Sequence, residues 1–169
     1  MKKVIILFII AFLSIPTSLI AETVYDVAKK MHSPEDIEKF YAEGGFKSEY
    51  KIPDYEKTPQ ETLDSRYGDC KDFATLTQAI LKDMGIQSEV VHIKFSKTRF
   101  GHAVCVWKDG NHYHYFDGTK LIKTEYASID DVINKAYLNT ECCTACENRL
   151  DMETGQCVEK SQEKAALPN

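Results

Sequence analysis

The clearest pattern in the chain is a helical one that extends from Cys70 to Met84. Apolar side chains recur there at intervals of three and four residues, which places them on one face of a helix: Phe73, Leu76, Ile80, Leu81 and Met84. Asp69 and Asp72 lie at the predicted start and Lys82 lies near the end, which suits the helix dipole. Gly85 fits a C-terminal cap. The pattern therefore predicts an amphipathic helix with one buried face.

Three runs after this helix have the Val, Ile and aromatic content of β-strands, at residues 88–95, 102–107 and 111–116. Asp109-Gly110 between the last two is a strong signal for a two-residue hairpin turn. We expect an antiparallel sheet packed on the 70–84 helix, which is an α+β arrangement.

Weaker signals flank this core. Ser33-Pro34-Glu35 predicts a helix start, and that helix should end at Gly44-Gly45. Residues 46–55 contain a proline and are expected to form an edge strand or a loop. Residues 58–63 predict a short helical turn, and residues 129–138 predict one more helix.

The first 21 residues have the pattern of a secretory signal peptide. Two lysines precede an unbroken apolar run over residues 4–13, and Pro16 and small residues follow up to Ala21. The run is short for a membrane span, so we expect cleavage after Ala21 rather than an uncleaved anchor. The mature protein is then expected in the periplasm or outside the cell, without a stable membrane anchor.

The composition and net charge of the chain limit the classes of binding partner to expect. The 169 residues are 43% hydrophobic, which is sufficient for one compact domain. Lysine and arginine total 21 against 26 acidic residues, giving a net charge of −5. This sign argues against nucleic acid or anionic lipid as the main partner.

Three residues have the types and order that thiol catalysis needs. Cys70 begins the predicted helix, where the dipole favours a thiolate. His102 opens the second strand and Asp117 closes the third, so a simple hairpin turning at 109–110 would place them opposite each other. Each alone has an ordinary explanation, as a structural thiol, a half-exposed strand residue and a turn residue. Their joint order is harder to ascribe to chance.

Residues 68–76, Gly-Asp-Cys-Lys-Asp-Phe-Ala-Thr-Leu, resemble the nucleophile motif of the transglutaminase-like superfamily, notably its exported bacterial cysteine peptidases. Residues 59–63, 85–86, 101–103 and 116–117 fit the same resemblance, which covers roughly residues 55–120. It implies a papain-like core and a catalytic triad of Cys70, His102 and Asp117.

The implied chemistry is acyl transfer from an amide of a protein or peptide, without a cofactor. Cys70 would form a thioester, His102 would transfer protons, and Asp117 would hold the imidazole. Water as acceptor makes a peptidase or amidase, and a lysine amine makes a crosslinking transglutaminase. Two other hypotheses remain: an inactive binding module, and a secreted interaction protein whose C-terminal tail is the working part.

One departure concerns the oxyanion hole. Transglutaminases place an aromatic residue, usually Trp, upstream of the cysteine, whereas Trp107 lies downstream and on the strand face opposite to His102. The backbone N–H of Cys70 is the expected first donor. Tyr55, Gln60 and Tyr67 are candidates for the second. This departure disfavours crosslinking more than hydrolysis.

The remaining cysteines and histidines suggest structural roles. Cys105 is expected to be a buried core thiol. His112 and His114 alternate along a strand and could chelate a metal, but they are more simply surface residues. Four tail cysteines, Cys142, Cys143, Cys146 and Cys157, favour two disulfides over a zinc site in an exported protein. Pairing Cys142 with Cys143 would be strained, so two connectivities remain.

The predicted organisation is therefore a signal peptide at 1–21, a transglutaminase-like domain at 22–140, a cysteine-rich tail at 141–159 and a disordered end at 160–169.

Overall fold

The computed structural model describes residues 21–50, 55–95 and 101–137, and the backbone of 142–146. Five helices and seven strands lie in these ranges: α1 Val24–Ala28, α2 Pro34–Gly44, β1 Lys47–Ser48, α3 Pro59–Ser65, β2 Tyr67–Gly68, α4 Cys70–Asp83, β3 Ser88–Phe95, β4 Gly101–Asp109, β5 His112–Asp117, β6 Lys120–Tyr126, α5 Ile129–Ala136 and β7 Cys142–Cys146. The predicted signal peptide up to residue 20 and the chain beyond residue 146 lie outside the described residues. Within the described ranges, no helix is long and apolar enough to cross a bilayer.

A five-stranded antiparallel sheet with the order β6-β5-β4-β3-β7 forms the centre of the fold. The face of α4 predicted from its apolar spacing packs against Ala103, Cys105 and Trp107 of β4, with α1 and α2 completing that core. Strand alternation points Val104 and Val106 to the other face, where they meet α5. The predicted α+β class, with the cysteine helix on an antiparallel sheet, is confirmed.

The β4–β5 hairpin differs from the sequence prediction in its register. Asp109 pairs with His112, so the turn is Gly110-Asn111 rather than Asp109-Gly110, and Val104 lies opposite Asp117. Gly110 has a φ of 58°, which glycine adopts readily at the first position of a type II′ turn. The predicted register, which placed His102 roughly opposite Asp117, is therefore wrong by two residues. They are diagonal neighbours on one face of the sheet.

Four elements of the fold have no counterpart in the sequence prediction: α1, β2, β6 and β7. The last of these pairs with β3 through His92 and Ile93, and it lies beyond residue 140, where the sequence placed the tail. Where the structure describes residues 46–55, at 46–50 and 55, the only strand is the short β1, which pairs in parallel with β2 just before Cys70. This two-stranded ribbon holds the chain that enters α4.

Candidate active site

The N-terminus of α4 is fixed by a reciprocal capping box. The carboxylate of Asp69 accepts hydrogen bonds from the backbone N–H groups of Lys71 at 3.0 Å and Asp72 at 3.2 Å. The carboxylate of Asp72 accepts one in return from the N–H of Asp69 at 3.1 Å. Cys70 is thus held as the first residue of the helix, half-buried, with a free thiol.

The carboxylates of the two acids beside Cys70, Asp69 and Asp72, accept hydrogen bonds from backbone N–H groups. Asp69 forms an ion pair with the ammonium group of Lys71, which offsets its charge. Asp72 is only 3% exposed and also accepts a hydrogen bond from the N–H of Lys57 at 3.0 Å. Burial raises the pKa of Asp72, against the backbone hydrogen bonds, which lower it. The repulsion that the charges of Asp69 and Asp72 would exert on a thiolate at Cys70 is therefore reduced.

Gly68 has a steric role in the same motif. A Cβ atom at this position would lie 2.8 Å from the Cβ of Asp72 and 3.3 Å from its Oδ2. Any side chain at residue 68 would therefore push against the capping carboxylate. The glycine of the motif is required for the close approach of β2 to the start of α4.

His102 and Asp117 form the second half of the site. Nε2 of His102 lies 2.7 Å from Oδ1 of Asp117, and the two side chains are 23% and 41% exposed. The diagonal placement still permits this contact, because an imidazole and a carboxylate together span the diagonal distance. Both residues stand at the end of the sheet where β4 begins and β5 ends.

The imidazole of His102 also interacts with the thiol of Cys70. Burial by itself lowers the pKa of His102, but hydrogen bonds with Asp117 and with Cys70, reinforced by their charges, raise it to about 10. The hydrogen bond with His102 lowers the pKa of Asp117, against burial, which raises it. At neutral pH the site therefore contains an imidazolium between a carboxylate and the sulfur. All three predicted triad residues come together.

Tyr137 is a site residue that the sequence analysis missed. Its hydroxyl donates to Oδ2 of Asp117 at 3.0 Å, and its ring lies 5.7 Å from the imidazole of His102 at 60°. Nothing in the local sequence signals this role, because the contact joins the end of α5 to a strand 20 residues earlier. Tyr115 is buried and packs on the Tyr137 ring, with the ring centroids 6.4 Å apart.

The candidate donors for the oxyanion hole differ in whether their N–H or O–H groups already have an acceptor. Among the described residues, no acceptor takes the N–H of Cys70, as expected at a first helical position. Gln60 donates to the carbonyl of Glu22 at 3.0 Å and to Asp64 at 2.8 Å, so its amide is fully used. The hydroxyl of Tyr55 donates to Glu61 at 3.0 Å.

Tyr67 is the remaining candidate for the second donor. It is 42% exposed, three residues before Cys70, and its hydroxyl bonds to no described residue. Trp107, the only tryptophan in the chain, is buried in the α4 core, on the face of β4 opposite to His102.

The other predicted residues lie away from this chemistry. Cys105 is a fully buried free thiol, and burial raises its pKa to about 12. Nδ1 of His114 accepts a hydrogen bond from the N–H of Thr124 at 3.1 Å, while His112 is exposed. No cluster of three metal-ligating side chains occurs in the described ranges. The side chains of the four tail cysteines lie outside the described residues, so their disulfides stay a prediction.

A cysteine at a helix N-terminus beside a histidine–aspartate pair on antiparallel strands has the residue types that nucleophilic thiol chemistry uses, in the order that the motifs led us to expect. A family profile described as a transglutaminase-like domain matches residues 18–141. The chain belongs to this family, which confirms the resemblance drawn from the motifs.

Individual proteins match the chain at low sequence identity or over only part of its length. A UPF0252 protein of Archaeoglobus fulgidus is 34% identical over 91 residues, which are 53% of this chain and 28% of the relative. The chain thus spans about a quarter of that protein. LapG of Legionella pneumophila superposes with a TM-score of 0.48 at 19% identity, over 73% of this chain and 68% of LapG. Its calcium-bound structure gives a TM-score of 0.46 at 23% identity, over 60% and 63%.

Proposed function

We propose that this protein is an exported, thiol-dependent acyl-transfer enzyme that acts on amide bonds of proteins or peptides as a cysteine peptidase or amidase. The observation that carries the proposal is the shared imidazole of His102, which interacts with the thiol of Cys70 and with the carboxylate of Asp117. Membership of the transglutaminase-like family supports the same chemistry.

The proposed reaction proceeds through a thioester. The sulfur of Cys70 attacks the carbonyl carbon of the amide, and the N–H of Cys70 stabilises the oxyanion. The imidazolium of His102 gives its proton to the leaving amine, and the C–N bond breaks. The neutral imidazole then takes a proton from water, which attacks the thioester and releases the acid. Asp117 holds the ring through Nε2, so that Nδ1 is the nitrogen left to face the sulfur.

Water is the acceptor we favour over a lysine amine. The only tryptophan is buried in the α4 core rather than placed upstream of the thiol, and the remaining second donor, Tyr67, is exposed to solvent. A thioester next to a solvent-exposed donor has little protection from water. Hydrolysis is therefore the expected outcome.

The test uses denatured casein and a fluorescent primary amine as general substrates. New peptide termini would indicate a peptidase, conversion of glutamine to glutamate an amidase, and incorporation of the amine a transglutaminase. Cys70→Ala should abolish turnover, and Asp117→Asn should lower it by about 10- to 1000-fold. His102→Ala should lower turnover more than Asp117→Asn does. Cys105→Ala is the matched control, because it removes a buried thiol from the strand face opposite to His102.

Alkylation by iodoacetamide tests the site without a substrate. Cys70 should react at pH 6 faster than a model thiol and faster than in His102→Ala. A folded wild-type protein whose Cys70 reacts no faster than either would refute the thiol mechanism. Rapid alkylation without turnover of casein would instead support the inactive binding module.

Export has a separate test, because residues 1–20 lie outside the described residues. Protein recovered from its native compartment should begin near Glu22 by mass spectrometry. An intact N-terminus on a cytoplasmic protein would contradict this part of the proposal.

A further inference from the structure

We propose that Tyr137 is a positioning residue for the thiol reaction: its hydroxyl fixes the carboxylate of Asp117 while its ring fixes the plane of the His102 imidazole. The inference rests on the proposed function and deepens the same site. Tyr137 lies outside every motif that carried the family resemblance.

Both oxygens of Asp117 are engaged. Oδ1 contacts Nε2 of His102 at 2.7 Å, and Oδ2 accepts the hydroxyl proton of Tyr137 at 3.0 Å. A carboxylate with partners on both oxygens cannot rotate without breaking one of these bonds. Asp117 would otherwise be loosely held, since it is 41% exposed and precedes the turn at Gly118.

The ring of Tyr137 restrains the imidazole from a second direction. The 5.7 Å separation of the ring centroids and the 60° interplanar angle are typical of an edge-to-face aromatic pair. His102 is cationic at neutral pH, so the neighbouring aromatic ring adds an electrostatic attraction. The buried ring of Tyr115, 6.4 Å away, holds Tyr137 in turn.

The fold explains why Tyr137 is well placed for this role. It caps α5, and its N–H donates to the carbonyl of Ile133 at 3.2 Å. Val132 and Ile133 are buried against the face of the sheet opposite to α4. Cys70 thus belongs to the helical layer on one face of the sheet. Tyr137, which contacts His102 and Asp117, belongs to the layer on the other face.

Electrostatics keep the hydroxyl in its donor form. Burial and the adjacent Asp117 carboxylate raise the pKa of Tyr137 well above its ordinary value. In return, the hydrogen bond from Tyr137 helps to lower the pKa of Asp117. The carboxylate therefore stays charged and the hydroxyl protonated throughout the neutral range.

The main test compares Tyr137→Phe, which removes only the hydroxyl, with Tyr126→Phe as the matched control. Tyr126 packs in the same α5-facing core, and its hydroxyl bonds to no described residue. The readouts are the rate of Cys70 alkylation by iodoacetamide from pH 5 to 9 and the ¹⁵N signals of the His102 ring. We expect Tyr137→Phe to slow alkylation at pH 6 by about three- to tenfold, less than the full value of one hydrogen bond to a charged acceptor, because the hydroxyl acts on Cys70 only through Asp117 and His102.

The same variants should differ in the His102 signals, which broaden or shift in Tyr137→Phe and stay unchanged in Tyr126→Phe. Once a substrate is found, kcat should fall in Tyr137→Phe while KM stays within about twofold of the wild-type value. The reason is that Tyr137 acts on the reacting groups and not on substrate binding. A Tyr137→Phe protein that matches the wild type in both alkylation and ring signals would overturn the inference.

A second measurement needs no change at Tyr137 in the test protein. With ¹³Cζ-labelled tyrosine, the Tyr137 signal should titrate above those of the exposed tyrosines, and Asp117→Asn should move its titration to lower pH. A Tyr137 that titrates identically in both proteins would refute the hydrogen bond. Slowed alkylation in Tyr137→Phe without turnover in the wild type would count against the proposed function alone. Turnover that depends on Cys70 but not on Tyr137 would count against this inference alone.

Discussion

The contact between His102 and Asp117 makes a testable prediction about stability against pH. Asp117→Asn replaces the carboxylate with an amide of nearly the same shape, so it removes the charge and keeps the packing. At 2.7 Å between Nε2 and Oδ1, the wild-type pair is an ion pair whenever His102 is protonated. The variant should therefore lose stability only where that pair exists.

The size of the loss follows from distance and exposure. Opposite unit charges about 4 Å apart attract by about 4 kcal/mol at an effective dielectric constant of about 20. Asp117 is 41% exposed, so solvent screening and the cost of ordering the side chains remove most of that. We expect Asp117→Asn to lower the free energy of unfolding by about 1–2 kcal/mol where the pair is complete.

The two pKa shifts set the pH window. The folded-state pKa of His102 is raised from 6.5 to about 10, so its contribution is complete below pH 6.5 and is lost as the pH rises to about 10. The pKa of Asp117 is lowered from 3.8, so its contribution is complete above pH 3.8 and is lost as the pH falls through the folded-state value. The difference between wild type and variant should be largest between about pH 4 and 6.5.

Urea unfolding from pH 4 to 10, followed by circular dichroism, measures this difference. Glu125→Gln is the control, because it removes an exposed carboxylate from the neighbouring strand β6. Its difference from wild type should stay small across the range. If the loss in Asp117→Asn were as large at pH 10 as at pH 5.5, packing and not an ion pair would explain it, and the assigned charge state of His102 would be wrong.

Three further predictions concern the rest of the chain. Gly68→Ala should lower the free energy of unfolding by about 1–3 kcal/mol in urea titrations, because its Cβ would lie 2.8 Å from that of Asp72; an unchanged midpoint would contradict the steric role. Asp69→Ala should lower the free energy of unfolding by about 1 kcal/mol through loss of the N-cap, whereas Asp69→Asn should retain most of the stabilisation that the cap provides. Non-reducing mass mapping should find two disulfides among the four tail cysteines and a free Cys70, and a Cys70 paired with the tail would overturn this.

The elements predicted correctly are those whose signal is local. The apolar spacing of residues 73–84 gives α4, and the run Ser88–Phe95 matches β3 at both ends. β6 was missed because Lys120–Tyr126 mixes lysines with apolar residues and is stabilised by its pairing with β5. α1 has only five residues, which is too short for a periodic pattern, and its buried side chains join the α4 core.

The site shows the same division between local and long-range information. Cys70, His102 and Asp117 could be chosen from motif order, but their register could not, because it depends on which two residues form the turn. Gln60 could not be excluded as an oxyanion donor from sequence, since its partners Glu22 and Val24 come from a distant part of the chain. Tyr137 belongs to a layer of the fold that no motif describes.

The diagonal register also suits the proposed chemistry better than the predicted one. In a hairpin turning at residues 109–110, Asp117 would stand beside His102 on the next strand, with the two side chains roughly parallel. In the observed register Asp117 lies opposite Val104, two residues further along β4, so the imidazole of His102 extends forward along the strand to meet it through Nε2. The ring nitrogens point in different directions, so this orientation directs Nδ1 away from Asp117. With Nε2 bound to Asp117, Nδ1 is the ring nitrogen that the proposed reaction would use toward the thiol of Cys70.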